Sequence, residues 1–94
     1  MFSHKHSYIM KTFYFTFTDK LGIHARPAGL IAKTAKEFSS EIVISKDGKS
    51  AACTKVMALM GLGVKCGDRI TVTINGGDEE AAEKTMRELF EANM

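Results

Sequence analysis

Seven consecutive residues, Gly22-Ile23-His24-Ala25-Arg26-Pro27-Ala28, bring an imidazole, a guanidinium and a proline within four positions. Proline in the first turn of a helix costs no hydrogen bond, because the first amide hydrogens have no partner inside the helix. His24 is therefore expected at or just before a helix start, beside unpaired N–H groups and the positive end of the helix dipole. That setting disfavours an imidazolium and favours a neutral, nucleophilic ring. Arg26 can pair bidentately with a phosphoryl group, and the first-turn N–H groups near Ala25 and Arg26 can stabilise its charge. The chemistry these types support is phosphate held transiently on an imidazole nitrogen. A structural histidine is the alternative that residue chemistry alone leaves open.

Other schemes lack parts. No Ser or Cys lies near His24 in sequence, although folding can bring one there. The acids gather towards the C-terminus and read as a solvated helix face. No glycine loop of the P-loop type is present, and Gly76-Gly77-Asp78 is a turn signal. No RNA-binding aromatic motif stands out.

The elements that must position His24 follow from periodicity. Thr12 to Thr18 alternates, with Phe13, Phe15 and Phe17 on one face, as in a half-buried strand. Asp19 to Ile23 is a loop. Ala25 to Phe38 has helical spacing, with Ala28, Ile31, Ala35 and Phe38 on one stripe and Lys33, Lys36 and Glu37 off it. Gly29 weakens that helix or leaves room for another surface to approach. Glu41 to Lys46 is a strand, Asp47-Gly48 a two-residue hairpin turn, and Lys49 to Cys53 a short returning strand. Thr54 to Leu62 is a short helix. Its Val56 and Leu59 form one face, and Met57 and Met60 form either core or an adaptable docking patch. Periodicity leaves both open. Arg69 to Asn75 is the last strand, with Ile70, Val72 and Ile74 inward. Asp78 caps a final helix whose stripe is Ala82, Met86, Leu89 and Phe90. The order β-α-β-β-α-β-α predicts an α+β fold, one antiparallel sheet with the helices on one face.

The chain of 94 residues suits one small domain. Residues 1–9 read as a disordered or variable extension. Met10 is a second candidate start, and His4 and His6 are at most a loose metal site. Residues 10–94 form the domain. With 13 basic against 11 acidic residues, the net charge of +2 is too mild to suggest nucleic acid by charge alone. No apolar run approaches a membrane span, and no secretory leader is apparent. Cys53 and Cys66 match no zinc spacing and read as free thiols of a reducing cytoplasm.

The stretch from Gly22 to Ala28 resembles the active-site motif of HPr, the histidine-containing phosphocarrier family of the bacterial sugar phosphotransferase system. The resemblance continues through Asp47-Gly48-Lys49, Met57-Ala58-Leu59-Met60-Gly61-Leu62-Gly63-Val64 and Gly77-Asp78-Glu79-Glu80, and covers about Met10 to Phe90. It implies an open-faced β-sandwich, a four-stranded antiparallel sheet with three helices on one side. It implies a phosphocarrier, not an independent catalyst, that works as a monomer without cofactor or metal. His24 is then phosphorylated on Nδ1 by phosphorylated enzyme I, which is charged by phosphoenolpyruvate, and passes the group to IIA units of sugar permeases. Arg26 matches the family's phosphate-partner arginine. The shared docking surface maps to Gly29, Lys33 and Lys36 on the first helix and Val56, Met57 and Met60 on the second, which favours docking for the methionine pair.

One departure matters. Many Gram-positive relatives carry a regulatory serine in a pattern like Asn-x-Lys-Ser-x-Met. Here the stretch is Ala52-Cys53-Thr54-Lys55-Val56-Met57, and Lys55 takes the serine's place. A lysine cannot accept phosphate from an HPr kinase. The second reading is an HPr-like regulatory binding module with a non-transport target. A more distant one is a small metal- or nucleic-acid-binding domain.

Overall fold

A computed structural model describes residues 10–94. The expected extension over residues 1–9, with His4 and His6, lies outside the described residues. Four strands, β1 (Lys11–Thr16), β2 (Glu41–Lys46), β3 (Lys49–Ala52) and β4 (Arg69–Asn75), form one antiparallel sheet in the order β1-β4-β2-β3. Three helices, α1 (Ala25–Ala35), α2 (Val56–Gly61) and α3 (Glu79–Asn93), complete the order β-α-β-β-α-β-α. The last strand is inserted between the first two. Phe13 stands opposite Val72 across β1 and β4, and Ile44 opposite Val72 across β2 and β4.

The alternation of each strand decides which face is covered. Phe13, Ile42, Ile44, Ile70, Val72 and Ile74 are buried beneath the helices. Thr12, Tyr14 and Thr16 point to the open face, where the Arg69 guanidinium lies 4.5 Å from the centre of the Tyr14 ring. From the helices, Ala28, Ile31, Leu59, Ala82, Met86 and Phe90 close the core. Phe90 meets all three β1-side phenylalanines edge to face, with ring centres 5.9 Å from Phe13, 5.3 Å from Phe15 and 6.1 Å from Phe17. Such aromatic pairs add roughly 0.5–1.5 kcal/mol each beyond area burial.

Several expected boundaries shift. α1 ends at Ala35, not Phe38, because Glu37 and Phe38 donate to carbonyls three residues back, at 3.1 and 3.2 Å, which tightens and stops the helix. Phe38 still packs on the core, from the turn after the helix. The hairpin turn has Asp47 at φ 51° and Gly48 at φ 82°, the left-handed pair of a type I′ turn.

Asp78 holds the N-cap position of α3, but its side chain does not cap that helix. Its carboxylate accepts the Ser39 and Ser40 N–H groups at 2.9 Å each, and the Ser40 hydroxyl. The post-helical loop supplies unpaired donors close by, so the carboxylate ties α3's start to α1's end. The Ser40 hydroxyl and the two N–H groups hold the Asp78 carboxyl down at about 2.

Candidate functional site

His24 is the N-cap of α1, extended at φ −113° and ψ −165°, and its side chain makes no capping bond. Ala28 is the first residue to close a helical bond, to the His24 carbonyl at 3.0 Å. Pro27, buried in the first turn, has no N–H. Ala25 and Arg26 therefore carry the turn's free donors, and α1 has no acidic residue there to answer them. At α3 the first turn contains Glu79 and Glu80. The His24 end of α1, unlike that of α3, leaves its positive pole open to an outside anion.

The loop that delivers His24 is fastened on two sides. Phe17 continues the sheet pairing, donating to the Asp68 carbonyl at 2.9 Å and accepting from Gly67 at 2.8 Å. Thr18 and Asp19 both donate their N–H to the Met94 carbonyl at 2.8 Å, so the end of α3 anchors the same loop. On the other side Ile23 donates to the Val64 carbonyl at 3.1 Å. The segment carrying Val64 is itself braced. Lys46 Nζ reaches Asp68 Oδ2 at 3.0 Å and the Gly63 carbonyl at 3.1 Å, and Lys65 N–H donates to Asp68 Oδ2 at 2.8 Å. These donors hold the Asp68 carboxyl below its usual range, the Lys65 N–H most of all.

Arg26 is exposed, and no side chain among the described residues pairs with it. One acidic neighbour went unmarked in the sequence. Asp19, five positions before His24, sets Oδ2 3.6 Å from His24 Nε2. Its Oδ1 accepts the Leu21 N–H at 2.9 Å in an Asx turn. That N–H, followed by the charges of His24 and Arg26, holds its carboxyl below the usual aspartate value. The Asp-x-Leu-Gly turn was a legible signal for the loop, but nothing in its spacing indicated the histidine.

The expected docking residues gather on two packed helices, α1 and α2. Lys33 and Lys36 are exposed, and Lys36 is the C-cap of α1. Met57 is 78% exposed and Met60 36%, whereas Leu59 is fully buried, which resolves the helix into a core side and an outer side. Val56 is only half-exposed and leans on the core, so it contributes an edge. Gly29 is half-buried, and a Cβ added there would meet nothing within 4 Å. Leu21, 72% exposed beside the His24 loop, is a further apolar residue that the strand and helix periodicities did not mark. The charges on α1 are Arg26 and Lys33 alone, while α3 carries Glu79, Glu80, Glu83, Glu88 and Glu91 against Lys84 and Arg87. The small net charge hides this separation.

A family model described as "PTS HPr component phosphorylation site" matches residues 11–92. The chain belongs to the HPr family. HPr proteins are phosphocarriers of the phosphotransferase system and not independent catalysts. The chain is 36% identical over 85 residues to the phosphocarrier protein HPr of Mycoplasma genitalium, covering 89% of this chain and 97% of that one. It is 42% identical over 67 residues to the HPr-like protein Crh of Halalkalibacterium halodurans, covering 71% and 80%. The crystal structure of HPr-C-His from Thermoanaerobacter tengcongensis superposes with a TM-score of 0.83 at 39% identity, covering 87% and 92%. An HPr dimer from that organism has also been solved, with a TM-score of 0.70 at 40% identity over 83% and 90%. The open-faced sheet with three helices is thus the HPr fold. No helix among the described residues is long and apolar enough to cross a membrane.

Proposed function

We propose that the chain carries a phosphoryl group on His24, received from phosphorylated enzyme I and ultimately from phosphoenolpyruvate, and passes it to IIA domains of sugar permeases. The observation that carries this reading is His24 at the uncapped start of α1, with the free N–H groups of Ala25 and Arg26 beside it. A phosphoryl dianion on the ring would be met by those donors, and the exposed Arg26 guanidinium two positions on can pair with it. Partners dock on Gly29, Lys33, Lys36, Val56, Met57 and Met60. The cations of that face suit an acidic partner, and the small apolar patch suits one that must leave quickly. The carrier works as a monomer in the cytoplasm, with no cofactor, metal or nucleic acid. Light scattering with a monomeric mass supports that state, and a stable dimer contradicts it.

Incubation with enzyme I and phosphoenolpyruvate, followed by mass spectrometry, tests the reading. One added phosphate is expected, labile in acid, stable in base and absent in His24→Ala. No mass shift in the wild type overturns it.

Lys55 favours a second reading, an HPr-like regulatory module with a non-transport target. It is exposed at the N-cap of α2, in the place of the serine that a kinase would modify, and offers no hydroxyl. The two readings part at the next step. Phospho-His24 that hands its group rapidly to a IIA domain is a transport carrier, and phospho-His24 that does not is the regulatory form. Phosphorylation at Thr54 by an HPr kinase and ATP would reinstate serine-type control.

A further inference from the structure

The His24 ring has two nitrogens, and the fold treats them differently. Nε2 faces Asp19, while the main-chain donors of Ala25 and Arg26 belong to the helix start. Asp19 is an unusually constrained loop residue. Its N–H is bound by the Met94 carbonyl at 2.8 Å, its carbonyl by the Gly22 N–H at 3.0 Å, and its Oδ1 by the Leu21 N–H at 2.9 Å. Its side chain is 17% exposed, against 85% for Asp47 in the hairpin turn. Only Oδ2 is left for the ring, at 3.6 Å from Nε2.

The geometry points to Asp19 as a positioning residue whose Oδ2, at ion-pair distance, favours the proton on His24 Nε2 and so leaves the Nδ1 lone pair free for phosphorus. The inference rests on the carrier reading and adds a tautomer to it. The hydrogen bond made by one ring nitrogen sets which tautomer the other presents. With the proton on Nε2, the Nδ1 lone pair forms the N–P bond as the donor's bond to phosphorus breaks and its electron pair leaves with the donor. Nε2 keeps its proton throughout. The ring becomes cationic, and the Asp19 carboxylate offsets that charge. In the onward step the N–P bond breaks, its electron pair returns to Nδ1, and the ring is again neutral with the same proton on Nε2. Neither step moves a proton on or off the ring, so no separate base is needed.

Asp19→Asn tests this without removing the turn. Asn keeps an oxygen for the Leu21 N–H and places an NH₂ where Oδ2 was. That group donates towards Nε2 and favours the opposite tautomer. Long-range ¹⁵N–¹H correlation spectra of the full chain, with the His24 ring neutral, should show the Nε2–H form in the wild type at a higher share than in free histidine. The share should fall in Asp19→Asn, and phosphorylation by enzyme I should slow by about fivefold, at the scale of one ordinary polar contact. Asp47→Asn should change neither. An unchanged tautomer ratio in Asp19→Asn overturns the inference even if the rate falls, because Asp19 would then serve only the turn. Should that variant not fold, a wild-type ratio no higher than that of free histidine overturns it. Failure of the carrier reading shows separately, as absence of phosphate on wild-type His24, and leaves the tautomer result standing.

Discussion

The Val64 carbonyl oxygen occupies the space that a side chain on Gly22 would need: a Cβ there would lie 2.0 Å away. The same oxygen accepts the Ile23 N–H at 3.1 Å. Two backbone segments thus meet without an intervening side chain, immediately before His24. Gly22 also has φ +67°, which L side chains rarely adopt. Gly22→Ala should cost about 2–4 kcal/mol from strain and overlap, read as a lower denaturant midpoint. It should also slow His24 phosphorylation, since the loop must move. A midpoint equal to wild type would show that the segments can separate freely.

Gly29→Ala should behave in the opposite way. Nothing lies within 4 Å of the added Cβ, and the residue is helical. Stability should rise by about 0.5–1 kcal/mol in the same assay. If Gly29 lies under a docked partner, transfer from enzyme I should weaken even as the fold gains stability. A loss of stability would mean that α1 is crowded at that point.

Arg26→Ala isolates the charge beside His24. The side chain is exposed and holds no partner among the described residues, so stability should stay within about 0.5 kcal/mol. Phosphoryl transfer should fall by about 100-fold, because the cation offsets charge that develops on the moving group. Wild-type transfer rates would make the guanidinium dispensable.

Lys55→Ser restores a capping hydroxyl to α2. Lysine at this N-cap makes no side-chain cap bond, and the first turn of α2 has no acidic residue. A serine acceptor should stabilise the protein by about 1 kcal/mol, visible in thermal melts. An unchanged melt would mean that the N–H groups of α2 are fully served by solvent.

Acid should loosen the tie between the Ser39-Ser40 loop and α3. The Asp78 carboxyl titrates at about 2 in the fold, below the ordinary aspartate value of about 4. A depressed folded pKa gives stability that is present above about pH 4 and is lost as pH falls towards about 2. The melting temperature should therefore drop across that window in the wild type, and drop less in Asp78→Asn. Parallel pH profiles would remove Asp78 from the balance.

Much of this protein is written locally. The β1 alternation buries Phe13 and Phe17, and the proline in the first turn of α1 puts His24 at the cap, because each depends on neighbours a few residues away. The burial of Leu59 beside exposed Met57 and Met60 needed the fold, since a six-residue helix offers too few turns for a stripe to declare itself. Asp78 shows the limit most clearly. Its sequence context predicted a helix cap, yet donors 38 and 39 positions earlier take its carboxylate. Asp19 shows the same limit at the site itself. Sequence alone determined that a histidine, an arginine and a helix start share one spot. Only tertiary structure decided which carboxylate faces the ring, because the Met94 and Val64 carbonyls that fasten its loop arrive from the far end of the chain and from beyond α2. Contacts of that range leave no period in the sequence.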